Sequence, residues 1–287
     1  MNWKKWTGIV VVLAVLLFIG YSVYSSSQGE EVPTVRTAEA TEDAVTEIIV
    51  ANGTIIPSES QEVMGQGIVS ELNVVVGDTV EEGDPLLTYI DGTSYSASFS
   101  GTVTQVNVNE SEPDNNAQQG QPSVVVSDLN ELEVEVQLSR SDAARVEVDQ
   151  PVTLTYGENE FAGTVAQIDP VATQQPAQTG TSAALGALIT FDENPEELIA
   201  GFAIDADITV AEEDQVLIIP IEALNYDDDN QPYVYTVTSN AAARTEIETG
   251  IQSNTTIEVT SGLSAGDQVI LSPSAEISNE TQVEIEE

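Results

Sequence analysis

From residue 35 to the C-terminus, apolar residues alternate with polar ones over runs of four to eight positions. Gly, Pro, Asn and Asp interrupt the runs at short spacing. That two-residue period places one face of each run inside and one outside, so it predicts a mainly β chain of short strands. Helical periodicity is scarce. Residues 139–146 (SRSDAARV) offer about two helical turns, and 194–200 offer about one.

The N-terminal pattern is different. Residues 7–24 (TGIVVVLAVLLFIGYSVY) carry no charge, and at about 1.5 Å per residue they reach roughly 27 Å, enough for a thin hydrocarbon core. Trp3 and Trp6 stand at one end, Tyr21 and Tyr24 at the other, as in an aromatic belt. Lys4 and Lys5 precede the run, so the positive-inside rule puts 1–6 in the cytoplasm and the bulk outside. A transmembrane helix over 7–24 and a linker over 25–34 are expected. A cleaved signal peptide is the alternative, and the polar stretch after Tyr21 makes a poor cleavage site for it.

Within the β region the chain repeats itself. Gly67-Ile-Val-Ser-Glu-Leu-Asn-Val-Val aligns with Gly101-Thr-Val-Thr-Gln-Val-Asn-Val-Asn. The first copy continues Gly77-Asp-Thr-Val-Glu-Glu-Gly-Asp-Pro-Leu-Leu, which is turn chemistry: Gly allows positive φ, Asp bonds back to the backbone and Pro presets φ. Each copy reads as a small meander with one buried face. Two copies face to face would form a flattened sandwich.

Composition narrows the function. Cysteine and histidine are absent, which removes disulfides, thiolate metal sites, and the commonest general base and metal ligand. All 49 acidic residues come after the apolar run, against four arginines: Arg36, Arg140, Arg145 and Arg244. Such a surface repels nucleic acid and anionic lipid headgroups. It suits a salty or alkaline medium in which the charges are screened. Regular Val, Ile and Leu alternation argues against disorder.

The paired G-x-V-x-x-L-x-V…G-D-x-V-x-x-G-D-x-L halves resemble the biotinyl/lipoyl-type domain. Taken with the apolar span before these halves and the β-patterned segments after them, the chain resembles the membrane fusion proteins, the periplasmic adaptor subunits of efflux and ABC-exporter systems. Ala51-Asn-Gly-Thr-Ile-Ile-Pro is similar to the strand leading into the lipoyl domain. Gly201-Phe-Ala-Ile-Asp-Ala-Asp-Ile-Thr-Val resembles the family's β-barrel, with its Gly-hydrophobic turn. Val216-Leu-Ile-Ile-Pro-Ile-Glu-Ala-Leu and Ser261-Gly-Leu-Ser-Ala-Gly-Asp-Gln-Val-Ile resemble its membrane-proximal domain. The implied layout is 35–60 strands leading in, 61–128 a lipoyl-like sandwich, 129–214 a β-barrel and 215–287 a membrane-proximal domain. The resemblance implies a non-catalytic adaptor, a homo-oligomer (often a hexamer) and an ABC or RND inner-membrane transporter as partner. A surface-anchored binding scaffold with no transporter partner is the alternative.

Two departures qualify the resemblance. Carrier domains bear their cofactor on a lysine at the turn between halves. Here that turn is Asp91-Gly-Thr-Ser and the region has no lysine, so no biotin or lipoyl cofactor is expected. Many relatives insert a long helical hairpin between the halves. Here four residues join them, and no heptad pattern occurs anywhere. The candidate distal-tip contacts are Gly77, Asp78, Gly83 and Asp84, or the turn at Asp91 and Gly92.

Other motifs have plainer readings. Gly262-Leu-Ser-Ala-Gly266 matches the nucleophile-elbow pattern, but no histidine exists to activate Ser264, so a turn is expected. Asp227-Asp-Asp-Asn lacks calcium-loop spacing and reads as a hairpin loop. N-x-[ST] triplets at Asn52, Asn109, Asn254 and Asn279 are common by chance in Thr-rich β chains. Residues 110–122 and 172–184 read as polar loops, the first a partner-binding tip or a tolerated insertion. Arg140 and Arg145 are expected to pair with carboxylates of the chain itself.

Overall fold

The computed structural model describes residues 32–177, 180–195 and 197–286. The expected cytoplasmic end, the span and most of the linker lie outside these. Among the described residues no helix is long and apolar enough to cross a membrane. Regular structure there is strand, with short 3₁₀ turns at Asn116–Gln119, Asp142–Ala144 and Ile221–Ala223. The mainly β expectation therefore holds. The two helical expectations do not. In 139–146 a single 3₁₀ turn forms over Asp142–Ala144, and Asp149 turns left-handed (φ 71°) soon after. The described part of 194–200 is irregular.

The chain divides into two compact units and crosses between them twice. One unit is Thr46–Glu212. The other joins the described residues up to Val45 with Glu213–Glu287.

The first unit contains a sandwich of two four-stranded sheets. One sheet runs Pro113–Asp114, Gly67–Leu72, Pro85–Tyr89, Ser94–Ser96. The other runs Ser60–Val63, Val124–Ser127, Gly101–Val106, Thr79–Val80. The two repeat strands lie in opposite sheets, as the repeat implies. Each half also lends a strand to the other: Thr79 pairs with Thr102, and Asp114 pairs with Gly67. Val69, Leu86, Leu87, Val103, Val124 and Val126 are fully buried between the sheets. Burial of one such side chain stabilises by about 1.5–3 kcal/mol, which fixes the register because a one-residue slip would expose the whole set.

The same unit holds a six-stranded barrel in the order Pro151–Tyr156, Asn159–Ile168, Gly180–Phe191, Leu132–Leu138, then the unit's parts of Thr41–Pro57 and Ala203–Pro220. Val152 paired with Ile208 closes the ring. Closure removes sheet edges, which a lone antiparallel sheet would expose. Leu132–Leu138 (LEVEVQL) shows how the code works. Its four aliphatic residues point inward and are buried, and Glu133, Glu135 and Gln137 point outward. The Gly-hydrophobic turn is present: Gly201 (φ 96°) donates to Ile55 O at 2.7 Å, and the Ile55 amide donates back to Phe202 O at 2.9 Å.

The second unit is built from both chain ends. Thr37–Glu39 pairs with Gln268–Ile270, and Thr34–Val35 lies parallel to Glu284–Ile285. Pro232–Thr238 and Ala241–Glu246 form a hairpin. Ala40, Ile219, Val234, Ile257 and Val269 share one core; Val35, Ala242, Ile270 and Val283 share another.

Candidate functional site

The sequence points to Gly-Asp turns, and they share one geometry. In residues 75–78, 81–84 and 264–267 the third residue is glycine at φ 96°, 92° and 90°. The fourth is an aspartate whose Oδ2 accepts the amide of the first at 2.8–2.9 Å. The fourth amide closes the turn on the first carbonyl at 3.0–3.1 Å. Positive φ at the third position is cheap for glycine alone, and the carboxylate satisfies an amide that the bend would orphan. At 147–150 Asp149 (φ 71°) and Gln150 repeat the positive φ and the side-chain bond, and the full turn recurs at 278–281, with Glu280 (φ 70°) and Thr281. Neither has the Gly-Asp signature, so sequence reading misses both.

Ser264 belongs to this set. It opens a turn, and its amide is held by Asp267. A Cβ on Gly262 would lie 2.3 Å from Glu246 O. The motif there is turn chemistry, as expected.

Strand register separates the six candidate residues. The chain enters and leaves the sandwich where Ser58 donates to Glu131 O and Asp128 to Glu59 O. Ser60 pairs with Ser127, Ser127 with Thr102, and Thr102 with Thr79. Gly83 donates to Ala97 O, and Ser98 beside it donates to Gln61. Gly77, Asp78, Gly83 and Asp84 therefore sit at the end through which the chain enters. Pro85–Tyr89 then runs the length of the sandwich, roughly 17 Å at 3.3 Å per residue. Asp91 and Gly92 (φ 89°) lie beyond it, at the remote end. The candidates form two clusters.

The remote end is braced by a buried polar network. Tyr89 Oη and Ser123 Oγ each donate to Asp114 Oδ2 at 2.5 Å, and the Asn116 amide donates to Asp114 Oδ1 at 3.0 Å. Gly65 N donates to Ser123 Oγ at 3.3 Å. Tyr89, Asp114 and Ser123 are 1%, 3% and 0% exposed, so every polar atom must find its partner inside. A Cβ on Gly65 would fall 1.8 Å from Tyr89 Oη. Asn107 ties the same loop to Pro122 O and receives a bond from Asn116. Residues 110–122, expected as a polar loop, are thus a braced segment that contributes a buried aspartate. One polar letter in a loop gave no sign of that. Burial, then the bond to Asp114, push the Tyr89 phenol up to about 12. At the surface nearby, the Thr93 amide holds the Asp91 carboxyl below its ordinary range.

Three arginines form ion pairs: Arg145, as expected, with Glu47 at 2.6 Å, and also Arg36 with Glu222 at 3.1 Å and Arg244 with Asp227 at 2.7 Å. Among the described residues Arg140 makes no ion pair, so that half of the expectation is unmet. Arg244 also lies over the Tyr233 ring, 4.1 Å from its centroid. Asp227 accepts the amides of Asp229 and Gln231, so the acidic loop is a self-bonded hairpin turn. Among the described residues no cluster of three carboxylates could hold a metal ion.

Comparison with known proteins adds four findings. Residues 216–285 match the family described as YknX, C-terminal permuted SH3-like domain. The putative efflux system component YknX of Bacillus subtilis is 23% identical over 98% of this chain and 99% of its own length. That alignment spans 380 positions against the 287 residues here, so YknX carries segments this chain lacks. The pyoverdine export membrane fusion protein PvdR of Pseudomonas aeruginosa is 27% identical over 61% of this chain, which spans 50% of PvdR's length. The crystal structure of MacA from Actinobacillus actinomycetemcomitans superposes with TM-score 0.69 at 19% identity, covering 83% of this chain and 99% of that one.

Proposed function

Starting from a chain related to the membrane fusion proteins of export systems, we propose that it is a membrane-anchored, non-catalytic adaptor coupled to an ABC- or RND-type transporter. Residues 7–24 are its anchor and 61–128 its lipoyl-like domain. The barrel is 129–214 and the membrane-proximal domain 215–287. Its working form is a homo-oligomer, hexameric by resemblance. Its action is mechanical: a ring of such subunits forms a collar over the permease and moves with its conformational changes.

The observation that carries this reading is the sandwich itself. Its two halves interlock as in a carrier domain, yet the joining turn, 91–94, presents no lysine and leads into no hairpin. A carrier function has no attachment point there. The extra positions of YknX in the alignment support a shortened reach for this chain. Of the six candidate contacts, Asp91 and Gly92 occupy the end remote from the barrel and are the distal contact. Gly77, Asp78, Gly83 and Asp84 shape the end that joins it.

The test is affinity purification of the detergent-solubilised full chain from its own membranes. Recovery of a permease and its ATPase, or of an RND pump, with an oligomeric adaptor is expected. A monomer that recovers no integral-membrane partner would sink the proposal and favour a surface-anchored scaffold.

A further inference from the structure

Single exposed aliphatic residues are ordinary, and the sandwich gathers exposed ones at both ends, Val75 and Val76 at 62% and 60% where the chain enters. At the remote end of the sandwich three large apolar side chains stand in solvent: Met64 at 44%, Ile68 at 46% and Ile90 at 68% exposure. Two of them are neighbours, since the Ile90 amide donates to Ile68 O at 2.9 Å. Pro113, also exposed, pairs with Ile68 across the strands. The patch is held rigid from below by the Tyr89–Asp114–Ser123 network, so docking on it costs little ordering entropy. Exposed carboxylates flank it: Asp91 follows Ile90 in the chain, and Glu112 precedes Pro113. The whole sandwich, 61–128, contains no Lys or Arg.

This charge pattern selects the occupant. A second copy docked tip to tip would set carboxylate against carboxylate around the apolar centre, which is destabilising. We infer that the remote end of the sandwich is a docking site for an amphipathic segment of a partner protein that carries Lys or Arg beside its apolar residues. The aliphatic side chains supply the buried contact, and Asp91 and Glu112 set orientation and exclude acidic segments. The inference rests on the adaptor reading and gives the chemistry of its distal partner. The two fail separately, since peptide binding is measured on the purified chain alone.

The probe is a fluorescent synthetic peptide of Leu and Lys with one apolar helical face, titrated by anisotropy onto the full chain in detergent at physiological ionic strength. The unaltered chain is expected to bind it, and Ile68→Ser/Ile90→Ser to bind about tenfold more weakly. Val75→Ser/Val76→Ser, which alters the exposed aliphatic pair at the opposite end, is expected to leave affinity unchanged. Equal binding by the Ile68/Ile90 variant would mean general attraction to an acidic surface and would overturn the inference. So would equal binding of a Leu/Glu peptide. Self-association abolished by the Ile68/Ile90 substitutions would assign the patch to a second copy and overturn it too. All four positions are exposed, so unchanged far-UV circular dichroism is expected of both variants.

Discussion

Tyr89→Phe removes one oxygen from the most buried polar cluster of the sandwich and leaves the ring. The ring is 1% exposed and packs edge-on to Tyr95 with centroids 6.1 Å apart, so its apolar burial is retained. What is lost is the 2.5 Å donation to Asp114, a residue 3% exposed and out of reach of replacement water. A hydrogen bond to a carboxylate contributes about 1.5–3 kcal/mol. The remaining donors, Ser123 and Asn116, do not fill the vacated position. The expected loss is therefore about 2 kcal/mol, local to the sandwich. Because the chain has several cores, a single unfolding midpoint would mix them. Amide hydrogen exchange read on Gly101–Val106 and Val124–Ser127 isolates the sandwich, and exchange there should quicken about tenfold or more. Barrel peptides should be unchanged. The pH dependence has a definite sign. The folded phenol titrates at about 12 against 10 for the free side chain, so the folded state holds its proton more tightly. Its contribution is complete below pH 10 and is lost as pH rises through 12. The Phe variant should lack that part of the alkaline decline. Equal exchange in the two proteins at neutral pH would refute the claim that the network braces the remote end.

Four further outcomes are expected. Gly266→Ala, which forces an L side chain to φ 90°, should lower the stability of the second unit by about 1 kcal/mol, seen as faster exchange in Gln268–Ile270. Arg244→Ala should lower stability only slightly, seen as a small drop in the melting midpoint, since its pair with Asp227 is partly exposed. Asp227, held below the ordinary carboxylate range first by the Gln231 amide and then by Arg244, contributes stability above that range. That stability is lost as pH falls through its folded value, and an acid titration monitored by the Asp227 carboxyl carbon signal checks the order. Raising sodium chloride should increase the thermal midpoint of the whole chain, because 49 carboxylates against six basic residues make the net electrostatic term repulsive. A fall in midpoint with salt would mean that the three ion pairs outweigh the repulsion.

Period-two patterning is a local property, and the β character came from it directly. Leu132–Leu138 reads the same as a string and as a barrel strand. The repeat between Gly67 and Gly101 was equally legible, because the same turn and strand needs recur in both halves. The Gly-Asp turns at 75–78 and 81–84 were visible because glycine and aspartate are the residues such turns favour. Their copies at 147–150 and 278–281 were not, since tertiary contacts there hold Asp149 and Glu280 at positive φ against their own preference. The helical expectation at 139–146 failed for the same reason in reverse: a locally acceptable helix, with Ser139 placed to cap it, gave way to the burial of Val146.

The absence of histidine, cysteine and a turn lysine limits the chemistry before any fold is known, because those side chains cannot be supplied by geometry. The strand pattern likewise commits the described chain to β structure. Which residues meet is another matter. Asp84 and Asp91 are close in sequence and look like one tip, but the fully extended Pro85–Tyr89 strand carries them to opposite ends of the sandwich. Tyr89, Asp114 and Ser123 are scattered through two repeats and a loop, and sheet register brings them within 2.5 Å. Pairing across strands depends on long-range register, which burial of the entire core sets at once. No local stretch of sequence contains it.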